Sequence, residues 1–152
     1  MFLNIANSST KQKIASMVNL SSIRNYCLQK KAVTEELPFD EDSPVYKVMG
    51  KIFAIVSLNP PYSINLKCDP ERAVELRERY DAVTPGYHMN KTHWNTIDLE
   101  SNIQPKLIKE WIDHSYELVV NGLPNKEKDK LSTNDINRAK HIIKKRKERK
   151  SK

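Results

Sequence analysis

Polar and apolar residues alternate without a break through Ser63-Ile-Asn-Leu-Lys-Cys68, the clearest strand pattern in the chain. The two-residue period turns Ile64, Leu66 and Cys68 toward a core and leaves Asn65 and Lys67 on the opposite face. Upstream, Val45-Tyr-Lys-Val-Met49 and Lys51-Ile-Phe-Ala-Ile-Val-Ser-Leu58 flank Gly50, which predicts two strands joined by a tight hairpin. Asn59-Pro-Pro61 is a turn. Thr34-Glu-Glu-Leu-Pro-Phe39 is a shorter extended segment, and Pro38, which cannot donate to a ladder, assigns it to an edge or an irregular strand.

The helical period appears elsewhere. Leu107, Ile108, Trp111, Ile112, Ser115, Leu118 and Val119 trace one stripe of a helix that starts at Pro105, ends at Gly122 and is stopped by Pro124. Asp69-Pro70 combines a capping carboxylate with a proline at the first helical position, and Ala73, Leu76 and Tyr80 share the face that follows. A third helix is capped by Ser21 or Ser22, buries Ile23, Tyr26 and Cys27, and stops near Lys30 or Lys31. Residues 1–19 show only a weak apolar spacing at Ile14, Met17 and Val18, enough for a turn or two of helix. Asn125-Lys-Glu-Lys-Asp-Lys130 reads as a charged linker, followed by a last helix capped by Ser132 or Thr133 with a thin apolar face of Ile136, Ala139, Ile142 and Ile143. Helix, antiparallel strands, helix, strand and helix in that order predict a two-layer α+β domain, an antiparallel sheet packed by helices.

The bulk properties narrow the class further. The 152 residues, 38% hydrophobic and 30% charged, suit one domain with extensions. The strongest apolar run, Ile52–Val56, is far below the roughly 20 residues of a membrane span. Residues 1–6 have no basic start and no long apolar segment, so no signal peptide is expected. Cys27 and Cys68 lack metal-like spacing and read as small buried residues in a reducing compartment, which makes the cytoplasm the expected location. The net charge of +7 is local. From Lys140 to Lys152 there are eight Lys or Arg and one Glu, whereas residues 1–139 hold 18 basic and 18 acidic side chains.

No hydrophobic period runs through Thr84-Pro-Gly-Tyr-His-Met-Asn-Lys-Thr-His-Trp-Asn-Thr96. Two histidines, two aromatics, two asparagines and a lysine crowd a loop between a helix and the strand-like Asn95–Leu99. Such a composition on a loop held by regular elements marks a candidate recognition site.

Four motifs, Lys67-Cys-Asp-Pro70, Thr84–Lys91, His93-Trp-Asn-Thr96 and Asp113-His-Ser-Tyr-Glu-Leu-Val119, resemble those of the MmcQ/YjbR family of small bacterial proteins. Leu37-Pro-Phe39 and Gly50–Ala54 fit the same pattern, so the resemblance runs from about Ser22 to Lys126. It implies a compact fold related to the frataxin-like domain, of the double-wing type, and a DNA-binding role. The domain is thus expected at 21–127, with an N-terminal extension at 1–20 and a basic C-terminal helical tail at 128–152. Nothing in the family explains that tail.

For DNA the loop offers suitable groups. Lys91 supplies a charge for phosphate. Asn90, Asn95, His88 and His93 can bond phosphate or base edges, and Tyr87 and Trp94 offer stacking faces. Lys67 extends the patch from the neighbouring strand, and Lys47 and Lys51 sit on a hairpin wing. In the tail, Lys144, Lys145, Arg146 and Lys147 add sequence-independent attraction: eight engaged cations would make binding fall roughly 10³–10⁵-fold between 50 and 200 mM salt. The blander reading makes Tyr87 and Trp94 core anchors, has the histidines bond backbone carbonyls, and leaves the tail a solvated solubility segment. A different class of function, a protein- or small-ligand-binding domain with a shallow pocket at this loop, is favoured by the neutral body.

Metal and catalytic signatures are weak. His88 and His93 lie on a loop without an acidic neighbour to complete a ligand shell, even if His114 approaches. Asp113-His114-Ser115 holds triad residue types, but consecutive helical residues do not face one another, and Ser115 falls on the apolar stripe as a small packing residue. With three glycines in the chain, a phosphate-cradling loop is not expected. The expectation is a monomeric, cytoplasmic, non-enzymatic protein with no cofactor, no metal and no membrane partner, whose ligand is DNA or, alternatively, an unidentified protein or small molecule.

Overall fold

The computed structural model describes residues 20–132. The chain divides into two units, residues 1–119 and 120–152. In the first, helix α1 over 20–28 precedes strands β1 (Val33–Glu36), β2 (Val45–Val48), β3 (Lys51–Ser57) and β4 (Ser63–Lys67). Helix α2 (Pro70–Arg79), strands β5 (Val83–Pro85) and β6 (Trp94–Asp98), and helix α3 (Pro105–Asn121) follow. The six strands form one sheet in the order β1-β2-β3-β4-β6-β5, and each neighbouring pair is antiparallel. This is the α+β architecture expected from the patterning.

Local chemistry accounts for most of the elements. Met49 and Gly50 turn the β2–β3 hairpin with φ of 49° and 80°; a two-residue turn with both φ values positive matches the twist of the flanking strands. Asp69 precedes α2 and Pro70 opens it. The short edge strand β1 ends before Pro38, as a residue without an N–H requires. Strand β5, at the other edge, is an addition to the expected elements. Three residues ending in a proline are too few to show a period.

Strand β3 departs from simple alternation. Tyr46 pairs with Ala54 but Lys47 pairs with Ile52, so Phe53 is an extra residue in a β-bulge. Phe53 and Ala54 are both fully buried. Phe53 meets Tyr116 of α3 edge-on at 5.4 Å. The bulge thereby sends two consecutive side chains to the helical face and lets Ile52 and Ile55, three residues apart, share the other.

The helices cover the face that holds Phe53, Ala54, Leu66 and Asn95. From α3, Ser115 bonds β3 and β4. From α2, Arg77 and the Ala73 carbonyl hold Asn95 of β6. On α1, Tyr26 donates to Asp113 of α3 at 2.6 Å, which with burial pushes its phenol up to about 12. Lys30 ion-pairs with the same carboxylate at 2.5 Å. Arg24 grips Glu35 of β1 through both oxygens, at 2.8 and 3.1 Å, and holds that carboxyl below its ordinary range. Cys27 and Cys68 are buried and unpaired with each other, and burial pushes the Cys27 thiol up to about 12.

In the second unit, residues 125–132 are helical, α4, where the charge pattern suggested a linker. Pro124 supplies the start. Its carbonyl accepts from Glu127 and Lys128 at 2.9 and 3.1 Å, and Glu127 pairs with Lys130 one turn on. The expected N-terminal turn, the last helix beyond its Ser132 or Thr133 cap and the polybasic run lie outside the described residues, while Ser132 itself is helical in α4. Among the described residues, no helix is long and apolar enough to cross a membrane.

Candidate functional site

The opposite sheet face carries no helix among the described residues of the first unit. Register aligns Ile55, Asn65, Thr96 and Thr84 across β3, β4, β6 and β5. Ile52, Ser57, Ser63 and Lys67 extend this face by alternation and the bulge. A cleft of about 570 Å³ opens on it, floored by Ile52, Ile55 and Asn65 and rimmed by Phe39, Tyr87 and Met89. Phe39 and Tyr87 are each 70% exposed, the most solvent-accessible large apolar side chains among the described residues. No lysine, arginine, aspartate or glutamate lines the cleft.

The loop from Gly86 to His93 forms the rim, and it is tied down from three directions. Gly86 donates to Trp94 O at 2.8 Å, and a Cβ at this position would meet Trp94 Cβ at 2.7 Å, so the close approach demands glycine. Asn90 caps the turn by accepting from Thr92 N at 2.9 Å, while its carbonyl accepts from Trp94 N at 3.0 Å. Arg77 reaches across from α2: its Nε donates to Asn95 Oδ1 at 2.7 Å and its Nη2 to the carbonyls of Lys91 and Trp94. At the cleft end, Tyr87 N donates to Thr96 Oγ1 at 2.9 Å, and Thr96 Oγ1 donates to Asn65 Oδ1. His88, with φ of 58°, packs against Tyr87 with ring centroids 4.0 Å apart and the ring planes inclined by 53°.

Only part of the candidate set from the sequence gathers here. Tyr87 and His88 line the cleft. Asn90, Lys91 and His93 are exposed farther along the loop, and Trp94 is half-buried beside Lys67, its register partner on β4. Asn95 is a correction. It is only 2% exposed and is held on the helical face by Arg77 and by Ala73 O at 3.3 Å, so it is a structural anchor out of reach of a nucleic acid. Lys47 is ion-paired with Glu36 at 2.6 Å. Lys144, Lys145, Arg146 and Lys147 lie outside the described residues. His114 bonds the chain at the start of α2: its Nε2 accepts from Asp69 N at 3.2 Å, and burial, then Arg72, lowers its pKa. Among the described residues, no three His, Cys, Asp or Glu side chains are grouped to hold a metal ion.

Several residues of the site had little or no sequence signal. Phe39 follows a proline in an irregular segment, and Ile52 and Ile55 sit in a run so apolar that it reads as buried throughout. Arg77 looks like one more charge on a solvated helix. Asn65 was legible as outward-facing, but its place beside a cleft was not.

The YjbR family model matches residues 28–118, more than half of the chain. The chain belongs to the YjbR family. YjbR of Escherichia coli K12 is 34% identical over 116 residues, covering 75% of this chain and 97% of that protein. YbdF of Escherichia coli O157:H7 is 37% identical over 95 residues, 62% of this chain and 78% of that one. Both are uncharacterized. Among solved structures, a Deinococcus radiodurans protein with the DUF419 domain superposes with a TM-score of 0.69 at 33% identity, covering 74% of this chain and 87% of its own. A Pseudomonas syringae protein gives 0.58 at 26% identity, covering 64% and 96%. The match spans β1 to most of α3, so the bulged strand, the Arg77 brace and the rim loop all fall inside the family region of this YjbR-family chain.

Proposed function

We propose that this YjbR-family chain is a cytoplasmic, non-catalytic binding module that receives a small, mostly apolar molecule on its uncovered sheet face. The observation that supports this reading is the cleft of about 570 Å³ with the exposed rings of Phe39 and Tyr87 on its rim. That volume falls in the range of roughly 300–1,000 Å³ occupied by small-molecule sites, which pair apolar walls with a few placed polar groups. Exposed aromatics rimming a concavity are an unusual use of surface unless something covers them. Titration with the neutral dye N-phenyl-1-naphthylamine tests it. Saturable binding that is lost in a Phe39→Ala/Tyr87→Ala double variant is the expected result. Dye uptake that does not saturate, or that survives the double variant, would refute the reading.

A second reading keeps DNA as the ligand, in the double-wing manner. It is supported by Asn90, Lys91 and His93, which stand exposed on the far part of the rim loop. Against it, residues 20–132 carry 15 basic and 17 acidic side chains, so any attraction to phosphate in this region is a local effect. Anisotropy of a labelled short duplex separates loop from tail. If the loop binds DNA, Lys91→Ala weakens association, and a variant with Lys144, Lys145, Arg146 and Lys147 changed to Gln retains it. If only the tail variant loses binding, the contact is polycation chemistry without a loop site.

A further inference from the structure

The cleft is apolar except at a few points, and one of those points is oriented by its neighbours. Thr96 Oγ1 accepts the Tyr87 N–H and donates its single proton to Asn65 Oδ1. With that proton given to Asn65 Oδ1, the Asn65 amide stands with its oxygen toward Thr96 and its nitrogen away from it. Asn65 Nδ2 carries two N–H donors and has no partner among the described residues. It lies on the cleft floor, directly across the β3–β4 ladder from Ile55. The same relay ties the donor to the backbone of Tyr87, so wall and donor are positioned together.

We propose, building on the cleft reading above, that the cleft selects neutral planar aromatic molecules with a carbonyl acceptor on one edge, and that Asn65 Nδ2 is the donor that reads this acceptor. Planarity suits the rings of Phe39 and Tyr87, whose faces favour offset or edge contacts with another ring. Neutrality is favoured by the lining, in which the exposed imidazole of His88 on the rim is the one basic group and no Lys, Arg, Asp or Glu stands by to compensate a buried charge. The acceptor follows from Asn65. A pure hydrocarbon seated over Ile55 would strip water from the amide and return no hydrogen bond, whereas a ring carbonyl restores it. The discrimination from one such donor is about 10- to 100-fold.

Two probes of nearly equal size test this: 2-quinolinone, a planar ring with an edge carbonyl, and naphthalene, the hydrocarbon of the same shape. Both are titrated into the full chain while the Asn65 side-chain NH2 resonance and the amides of Ile55, Tyr87 and Met89 are followed by NMR. The expected result is that 2-quinolinone binds and moves the Asn65 NH2 signal downfield. Asn65→Leu should then weaken 2-quinolinone about 10-fold or more while leaving naphthalene within about 2-fold. Asn65→Asp keeps the Thr96 partner and replaces the donor with an acceptor; titrated with N-methyl-2-quinolinone, which has no N–H to give the carboxylate, it should weaken binding as Asn65→Leu does. If both probes bind and neither substitution changes the quinolinone affinity, Asn65 is not the reader and the proposal falls, while the cleft remains a binding site. If neither probe moves the cleft resonances of the unaltered chain, the cleft reading and this proposal fall together.

Discussion

Ser115→Ala is the substitution whose consequence the geometry specifies best. The last facing pair in the β3–β4 register is Ala54 with Leu66, and continuing the register would place Phe53 opposite Lys67. The bulge at Phe53 turns the strand away at that point, and the Ser115 hydroxyl takes the place of the missing rung. It donates to Phe53 O at 2.6 Å and accepts from Lys67 N at 2.9 Å, with no solvent exposure. Alanine removes one oxygen, creates little cavity and strands two backbone groups. Each buried group left without a partner costs about 1–3 kcal/mol, so the loss is about 2–4 kcal/mol with some relaxation. For a domain of this size the slope in urea is about 1–2 kcal/mol per molar, so the unfolding midpoint should drop by about 1–4 M with the slope unchanged. Native-state hydrogen exchange adds a local readout: the Lys67 amide should lose protection beyond the global loss, whereas Leu66 should follow the global value. A midpoint shift below about 0.3 M with Lys67 still protected would show that the strands close the rung themselves, and the bridging role would be wrong.

Two further outcomes follow from named contacts. Arg77→Lys keeps the charge but not the fork, so it can satisfy at most part of the set of Asn95 Oδ1, Lys91 O and Trp94 O; urea unfolding should show a loss of about 1–3 kcal/mol, and limited proteolysis should cut the 86–93 loop sooner than in the unaltered chain. His114 has a folded pKa below its ordinary 6.5, lowered first by burial, so the unfolded chain binds more protons below that value. Its contribution is therefore complete above about 6.5 and is lost as pH falls toward the folded pKa, through protonation of the nitrogen that accepts from Asp69. A His114→Gln variant should show a flatter stability profile between about pH 7 and 5, and an unchanged slope would refute the assignment. The Glu35 carboxyl, held low chiefly by Arg24, shifts stability only below its ordinary 4.5.

Periodic segments were readable because their burial is decided along the chain itself. The stripe of α3 buries Ile108, Trp111, Ile112, Ser115 and Val119 as its period required, and β4 buries Ile64 and Leu66 while turning Asn65 outward. Gly50 marked its hairpin, and Asp69-Pro70 marked the start of α2. Ser115 was legible as a small residue on the apolar stripe, but its role as a bridge needed two strands that only the fold brings to it. The charges at 125–130 hid a helix because solvated charge runs suit linkers and helices alike.

The family region, the α+β class and the position of the irregular 86–93 loop thus belong to the sequence, in which local period, capping and turn chemistry repeat the same answer several times over. The site itself belongs to the tertiary structure. A single extra residue at Phe53 reverses which side chains of β3 face outward, and so brings Ile52 and Ile55 together under Phe39 and Tyr87. Arg77 and Asn95, 18 residues apart in sequence, meet only when α2 crosses the sheet, which turns one apparent surface charge into a brace and one apparent binding residue into its anchor. Those assignments depend on contacts between segments distant in sequence, and no local pattern carries that information.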